Sequence, residues 1–317
     1  MGNEFPHDPA WPRTGGWAEP RAGEHAHLAL IGVPTSRTSL SPTNAHETPA
    51  AVRAALRRYS GHLVAAGVPG DRGAEAELVL DEALTIVDAG DVADPDGDEE
   101  AAVEAIGGLA GSADLVISLG GDNACTVPAA LGLARAHGGL DGIGLITVDA
   151  HHDLRDGRSN GSPVRRLVEA GLDPRRIVQI GIADFANSHA YRRRAKEWGI
   201  TVIHREELHD RPLPEIVAEA LAVAGAGAEA IHVDLDIDVC DRSVAPGCPA
   251  SIPGGISAFE LRRIARLLSA DPLVRGLDIA EVDATADASD GRTVRLTALC
   301  VLEAAAGLAS RPAAGDP

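Results

Sequence analysis

The chain has 317 residues, of which 28 are Lys or Arg and 47 are Asp or Glu, so its formal net charge is −19. A surface with this charge repels phosphate backbones and anionic membranes, which excludes nucleic acid and membranes as expected partners. Hydrophobic residues make up 45% of the chain and the mean hydropathy is near zero, with no apolar run of the roughly 18 residues that span a bilayer. The composition therefore predicts a soluble globular protein.

Short runs rich in Val and Ile alternate with amphipathic stretches along most of the chain. Continuous apolar runs of this length are typical of parallel strands that are covered on both faces. The alternation predicts a three-layer α/β/α domain around an eight-stranded parallel sheet. The predicted strands are residues 27–33, 84–87, 115–119, 143–148, 177–182, 200–204, 230–235 and 274–280. The predicted helices are one that begins at Thr48 and those at 99–108, 127–137, 162–170, 189–198, 212–224, 257–269 and 293–309.

The ends of the chain differ in composition from this alternating region. Residues 1–26 are polar and contain several Pro and Gly residues, which predicts a flexible N-terminal arm. Residues 27–310 are predicted to form a single domain and residues 311–317 a disordered tail. Within the domain, the acidic segment 88–100 is predicted to be a solvated loop.

The cellular setting is predicted from the N-terminus and the cysteines. The first residues lack the basic and apolar regions of a secretory signal. Four cysteines are present without C-x-x-C spacing, which indicates reduced thiols. We therefore expect a cytoplasmic protein. The cysteines are Cys125, Cys240, Cys248 and Cys300.

Polar side chains follow the predicted strand 143–148 at the point where it ends. Asp149, His151 and Asp153 alternate there, and alternate side chains of an extended chain share a face. In open parallel sheets, ligands bind at the carboxyl ends of the strands. Because two carboxylates and an imidazole suit a divalent cation, this strand end is a candidate metal site.

A second acidic motif leaves the predicted strand 230–235, where Asp234, Asp236 and Asp238 alternate with apolar residues. Burying several carboxylates together is costly unless a cation or another partner compensates for their charge. Two such motifs at two strand ends therefore favour a shared metal centre over two unrelated surface clusters.

Two further strand ends carry polar residues of interest. Gly120 and Gly121 allow a tight turn after strand 115–119, and Asn123 can present a carbonyl oxygen beyond it. Glu281 follows the last predicted strand, where a carboxylate can bind a cationic amidine or guanidine group. Four strand ends are therefore expected to converge on one acidic crevice.

Taken in order, these motifs resemble the ureohydrolase superfamily of arginase, agmatinase and formimidoylglutamase. The family pattern is G-G-D-H, then D-A-H-x-D, then D-x-D-x-x-D followed by A-P-G, then a late Glu, and the likeness spans roughly residues 27–309. Residues 245–247 supply the A-P-G, and this register aligns Asp236 and Asp238, rather than Asp234, with the family's ligands. The resemblance implies an arginase-like fold.

The resemblance also implies two Mn²⁺ ions per chain. The first ion is expected on Asn123, Asp149, Asp153 and Asp236, and the second on Asp149, His151, Asp236 and Asp238. Four aspartates would then balance the charge of two divalent ions, and a water bridging the ions would ionise near neutral pH.

Three positions depart from the arginase pattern and indicate a branch of the superfamily. Asn123 stands where the family has the histidine of G-G-D-H. Asn160 takes the place of the proton-shuttling histidine of arginases, and Ala186 lies near the lost aspartate that contacts the substrate's α-amino group. These features resemble formimidoylglutamase, which converts N-formimidoyl-L-glutamate and water into L-glutamate and formamide in histidine degradation.

Two alternatives stay open from the sequence. The first is a ureohydrolase of the agmatinase or guanidinobutyrase type, which acts on a guanidine and releases urea. The second is a non-catalytic relative that binds a metal or ligand, because the histidines expected at 123 and 160 are absent.

In the main interpretation, a hydroxide bridging the two metals attacks the formimidoyl carbon. Glu281 holds the cationic amidine, and Asp153 passes the hydroxide proton to the leaving nitrogen, as general acid catalysis requires. A dicarboxylate substrate also needs positive charge. The expected substrate contacts are Asn160, Arg155, Arg158, Asn187 and Arg242. The partner is then a small-molecule substrate, and the resemblance suggests a homo-oligomer, either a trimer or a hexamer.

Overall fold

Eight parallel strands form one sheet. This computed structural model describes residues 8–65 and 76–312. The strands are β1 (Ala26–Val33), β4 (Ile86–Asp91), β5 (Ala113–Gly120), β6 (Ile143–Val148), β7 (Ile177–Ile182), β8 (Thr201–His204), β9 (Ala230–Asp236) and β10 (Val274–Ala280). Their order across the sheet is β4-β1-β5-β10-β9-β6-β7-β8. The predicted eight-stranded parallel sheet is therefore confirmed.

Helices cover both faces of the sheet, which explains the continuous apolar strands. Along β1, Leu28 and Leu30 belong to the hydrophobic core on one face of the sheet, whereas Ala29 and Ile31 belong to the core on the other face. Successive side chains point to opposite faces, so both sets are buried. The helices are α1 (Thr48–Leu56), α3 (Glu99–Ala110), α4 (Thr126–Ala136), α5 (Pro163–Ala170), α6 (His189–Trp198), α8 (Leu213–Ala224), α9 (Ala258–Ser269) and α10 (Arg292–Ala309).

Four small elements lie outside the predicted set. Strands β2 (His62–Ala65) and β3 (Ala76–Val79) pair in antiparallel fashion. Two short helices are α2 (Leu80–Ala83), directly after β3, and α7 (Glu207–Asp210), after β8. Each is only four residues long, too short for a periodicity to stand out in the sequence.

The prediction that residues 88–100 form a solvated loop is wrong at both ends. Strand β4 continues to Asp91, and α3 begins at Glu99 with Asp98 as its N-cap. The guanidinium of Arg53 donates to both carboxylate oxygens of Asp88 (2.7 and 2.9 Å) and to Asp91. This ion pair explains how two aspartates are accommodated in an edge strand.

The N-terminal segment contacts the domain where the structure describes it. Thr14 Oγ1 donates to the carbonyl of Leu56 (2.8 Å), Trp17 Nε1 donates to Asp81 (2.7 Å), and Ala18 forms a bridge with Val87. Residues 1–7 and 313–317 lie outside the described part, so the division into arm, domain and tail stays a prediction. Among the described residues, no helix is long and apolar enough to cross a membrane.

Candidate active site

The four strands that carry the predicted motifs are neighbours in the sheet. Strands β5, β10, β9 and β6 lie side by side, and parallel strands bring their carboxyl ends to one edge. Neighbouring strands are about 4.8 Å apart, so side chains that leave successive strand ends can contact one another. The sheet order thus places the Asn123, Glu281, Asp236 and Asp149 segments around one crevice.

The first group of metal-binding candidates is Asp149, His151 and Asp238, whose ligand atoms lie within 4.8 Å of one another. His151 Nδ1 is 2.7 Å from Asp238 Oδ2 and 3.5 Å from Asp149 Oδ1. The other oxygen of Asp238 accepts from the backbone N–H of Ala150 (3.0 Å), which ties the β9 motif to the β6 motif. Asp149 Oδ2 is buried and has no hydrogen-bond partner among the described residues.

Asp153 also lies close to Asp149 and is held by Asn123. The Asn123 side-chain amide donates to Asp153 Oδ2 (2.6 Å), and its own Oδ1 accepts from Thr126 Oγ1 (2.7 Å). The Asn123 oxygen therefore already has a donor within the protein. The expected ligand role of Asn123 stays a prediction that this hydrogen-bonding pattern does not favour.

Asp236 is buried at the end of β9, where its carboxylate accepts from the backbone N–H of Asp238 (2.7 Å). It caps a short turn, residues 237–239, that brings Asp238 into the crevice. A second acid of this strand, Asp234, is fully buried beneath the crevice. Its carboxylate forms a second metal-binding group with Asp149 and Asp153, again within 4.8 Å.

Burial dominates the electrostatics of these carboxylates. Burial, reinforced by the neighbouring Asp238, raises the pKa of Asp149 to about 7. Burial also raises the pKa values of Asp153 and Asp236 well above the usual aspartate range. Burial would lower the pKa of His151, but the carboxylates of Asp238 and Asp149 outweigh it and raise this pKa to about 12. The crevice thus favours protons or cations, and its donors fit two divalent ions.

Glu281 closes the site on the β10 side. Its Oε1 accepts from the backbone N–H of Asn123 (2.9 Å) and from the side-chain amide of Asn160 (2.5 Å). Burial raises the pKa of Glu281 to about 7, although both hydrogen bonds oppose this shift. Glu281 and Asp153 both have left-handed backbone angles, with φ of 61° and 54°. Such strain in non-glycine residues is concentrated at functional sites.

A cavity of about 420 Å³ opens onto these groups. Of the three arginines expected to bind substrate, only Arg155 lines it. Arg158 is paired with Glu99 (3.0 Å), and Arg242 donates to the carbonyl of Cys248. The structure therefore does not bring Arg158 and Arg242 to the cavity, because both are engaged in contacts elsewhere. Predicted residues in the lining are His151, Asp153, Arg155, Asn160, Asn187, Asp236, Asp238 and Glu281.

Asn187 lines the cavity, but it also braces the β6 motif. Its Oδ1 accepts from the backbone N–H of His152 (2.9 Å), and its amide donates to the carbonyls of Ala150 (2.8 Å) and Ala183 (3.1 Å). The His152 ring points away from the crevice and contacts Gln179 Oε1 (2.7 Å). The hydrogen bonds of Asn187 thus support a positioning role more directly than the substrate contact expected of it.

A sequence profile described as the arginase family matches residues 26–307. The chain belongs to the arginase family. It is 37% identical to the formimidoylglutamase of Halalkalibacterium halodurans over 271 residues, which cover 82% of this chain and 81% of that relative. It also superposes on the crystal structure of formimidoylglutamase from Bacillus subtilis with a TM-score of 0.80 at 30% identity, covering 93% of this chain and 91% of that one. The predicted ureohydrolase resemblance is thereby confirmed.

The same fold is found in a more distant solved structure. The crystal structure of Trypanosoma cruzi formiminoglutamase with Mn²⁺ superposes with a TM-score of 0.78 at 21% identity, covering 90% of this chain and 94% of that one. At this identity the likeness concerns the arginase-family fold alone.

Part of this arginase-family cavity was missed by sequence reasoning. The segment after β1 supplies three hydroxyls, those of Ser39, Ser41 and Thr43, and α6 supplies Tyr191. The first three follow a strand end in a Ser/Thr-rich segment, which is the signal that could have found them. Nothing in the sequence around Tyr191 distinguishes it from other residues of its helix.

Proposed function

We propose that this chain hydrolyses the C–N bond of N-formimidoyl-L-glutamate, giving L-glutamate and formamide, as a step of histidine degradation. The observation that carries the proposal is the 37% identity to a formimidoylglutamase over 82% of the chain. Two asparagines at the site, Asn123 and Asn160, agree with it, because they distinguish this site from the arginase pattern.

The enzyme is proposed to hold two Mn²⁺ ions. The donor set supports this because it combines buried carboxylates with one imidazole, and Asp149 Oδ2 has no protein partner among the described residues. When bound, the two ions would supply positive charge and lower the pKa of a bound water. The proposed ligands are Asp149, His151, Asp153, Asp236 and Asp238. Asn123, which the sequence also suggested, is not among them, because its amide donates to Asp153 and its oxygen accepts from Thr126.

Glu281 is proposed to hold the cationic formimidoyl group. Its carboxylate is fixed by Asn160 and by the backbone of Asn123, so it reaches the cavity in one orientation. An ionised carboxylate there pairs with an amidinium and aligns its carbon for attack by water.

Asp153 is proposed to move the proton that the reaction requires. An amine leaves as a neutral group only after it gains a proton. Asp153 borders the cavity and its pKa is raised by burial, so it can take a proton from the attacking water and deliver it to the departing glutamate nitrogen.

The carboxylates of the substrate require positive charge and hydrogen-bond donors. Arg155 supplies the guanidinium at the cavity, and Ser41 and Tyr191 supply hydroxyls. The hydroxyls of Ser39 and Thr43 also line the cavity but donate to Asp122 and Asp283. Asn160 contributes less directly, because its amide is occupied by Glu281. This lining suits a short linear dicarboxylate.

An assay with four substrates tests the proposal. Protein purified with Mn²⁺ is offered formimidoylglutamate, arginine, agmatine and guanidinobutyrate. Release of glutamate and formamide supports the proposed function, whereas urea release would assign a guanidine substrate. Two bound Mn²⁺ ions per chain with no turnover of any of the four would contradict an enzymatic role.

The cellular setting and the assembly of the enzyme are proposed from its cysteines and from the family resemblance. All four cysteines are free and buried, which is in keeping with the reducing cytoplasm. Assembly into a trimer or hexamer is proposed from the family resemblance, and analytical ultracentrifugation would test it.

A further inference from the structure

One acid beneath the crevice has no role in the proposed function. Asp234 lies within β9, fully buried, and neither of its carboxylate oxygens has a hydrogen-bond partner among the described residues. It is paired in register with Thr147 of β6 and Asp278 of β10. An isolated buried carboxylate is costly, so its retention calls for a compensating group.

The contacts around Asp234 do not provide that group. Asp278, its neighbour on β10, is already paired with His232 Nε2 (2.6 Å). The hydroxyl of Thr147 is buried and also lacks a partner. The polar atoms nearest along the sheet therefore leave both Asp234 oxygens unsatisfied.

The position of Asp234 relative to the other acids indicates that a metal ion would compensate for the charge of its unpaired oxygens. Its ligand oxygen lies within 4.8 Å of those of Asp149 and Asp153, while Asp149 also belongs to the group with His151 and Asp238. Two three-residue groups that share one carboxylate form the donor pattern of a two-metal centre. Three ionised carboxylates in one buried group repel one another, and either protons or a cation between them relieves this repulsion. The cation is the partner that also uses their converging oxygens as ligands.

The hydrogen bonds of Asn123 leave the metal position beside Asp149 and Asp153 one ligand short. Its side-chain amide donates to Asp153, and its oxygen is occupied by Thr126. A metal held beside Asp149 and Asp153 therefore lacks the ligand that a histidine after the Gly-Gly-Asp motif would provide.

We propose that Asp234 is a ligand of the metal ion held by Asp149 and Asp153, and that it supplies the donor missing at Asn123. This inference rests on the proposed two-metal function and adds a residue to it. It also differs from the assignment by motif register, which selects Asp236 and Asp238 and sets Asp234 aside.

The test is Mn²⁺ binding, measured without turnover. Wild-type, Asp234→Asn and Asp278→Asn proteins are stripped with EDTA, titrated with Mn²⁺ by calorimetry, and analysed for metal after dialysis. Asp278→Asn is the matched control, because it makes the same change at the registered position of the next strand, where the carboxylate already has partners. Electron paramagnetic resonance reports whether the bound ions form a coupled pair.

We expect two ions per chain in the wild type and in Asp278→Asn. In Asp234→Asn, one of the two ions should bind at least tenfold more weakly, and the coupled-pair signal should be lost. Two ions bound with wild-type affinity in Asp234→Asn would overturn the inference. If the wild type itself fails to bind two ions, the proposed two-metal function fails instead, so the two failures can be distinguished.

A second variant protects the test against misfolding. Circular dichroism and thermal melting of the metal-free proteins establish that each variant is folded. If Asp234→Asn does not fold, Asp234→Ser replaces it, since serine is smaller and uncharged. The same loss of one tight site is expected, and wild-type binding by that variant would overturn the inference equally.

Discussion

The amide of Asn160 donates to Glu281 Oε1 at 2.5 Å, on the same oxygen that accepts the backbone N–H of Asn123. Its own Oδ1 accepts from the backbone N–H of Leu40 (3.0 Å), so Asn160 links the loop after β1 to the carboxylate at the end of β10. In this chain the asparagine at the position of the arginase proton shuttle therefore orients the carboxylate proposed to bind the amidine.

This relationship predicts a graded loss of activity. Asn160→Ala should lower kcat/KM by roughly 10- to 100-fold, because hydrogen bonds to charged groups contribute about 1.5–3 kcal/mol. Asn160→Asp is nearly identical in shape but should lower kcat/KM further, because its carboxylate would repel the carboxylate of Glu281. Both should keep the wild-type Mn²⁺ content. Steady-state kinetics with metal analysis measure this, and an aspartate variant as active as the alanine variant would contradict it.

Substitutions of two arginines that lie three residues apart, Arg155 and Arg158, should change KM to different extents. Arg155→Met should raise KM for formimidoylglutamate by about tenfold or more, with a smaller change in kcat, because it removes a cation from the cavity. Arg158→Met is the control, since Arg158 is paired with Glu99 outside the cavity lining. Equal changes of KM in the two variants would refute the assignment of Arg155.

The metal-free protein should lose stability as the pH rises from 5 to 8. The pKa values of Asp149 and Glu281 are raised to about 7, against about 4 in an unfolded chain, so the folded state keeps protons that the unfolded state releases between these values. The raised pKa of His151, about 12, extends the loss above pH 6.5. The free energy of unfolding therefore falls over this window.

Thermal melting of EDTA-treated protein at several pH values measures this loss. General charge repulsion in an acidic protein acts in the same direction, so the slope in Asp149→Asn serves as the control and should be shallower. An unchanged slope in that variant, or a metal-free wild type that gains stability toward pH 8, would contradict the assignment. With saturating Mn²⁺, the rise in melting temperature should grow with pH, because ligands must lose protons to bind metal.

The turn after β5 should not tolerate a side chain. A Cβ on Gly121 would lie 2.0 Å from the carbonyl oxygen of Thr35, which is backbone and cannot rotate away. Gly121→Ala should cost at least about 2 kcal/mol of stability, in the range of overpacked cores. Gly108→Ala in α3 is the matched control, since nothing lies within 4 Å of its added Cβ, and it should gain up to about 1 kcal/mol. Urea unfolding compares the two.

The sheet could be predicted because its strands are buried on both faces. Strands such as Ile143–Val148 and Ala230–Asp236 are buried throughout and therefore appear as uninterrupted apolar runs, with polar residues only where they end. The order of these strands was not predictable in the same way. Their adjacency is a long-range property. The strand-end argument predicted that the motifs share one edge of the sheet, but which strands are neighbours is known only from the structure.

Other features depend on partners that are far apart in the chain. Arg158 follows the metal motif closely in sequence, yet its guanidinium pairs with Glu99 across 59 positions. Asp234 has the same spacing as its neighbours, and motif register set it aside, whereas the structure leaves its oxygens without partners. In both cases the residue type indicates charge, while its role depends on what the fold brings beside it.

The left-handed backbone angles of Asp153 and Glu281 affect which substitutions selection would retain at these two positions. Glycine and asparagine adopt such angles at lower cost than most residues, so either substitution should relieve strain and raise the melting temperature of the metal-free protein. A library selected only for heat resistance without metal would accumulate these replacements, and one selected for turnover would discard them. Positions 153 and 281 are therefore where the two selections should diverge most, which would locate the reaction centre without any substrate bound.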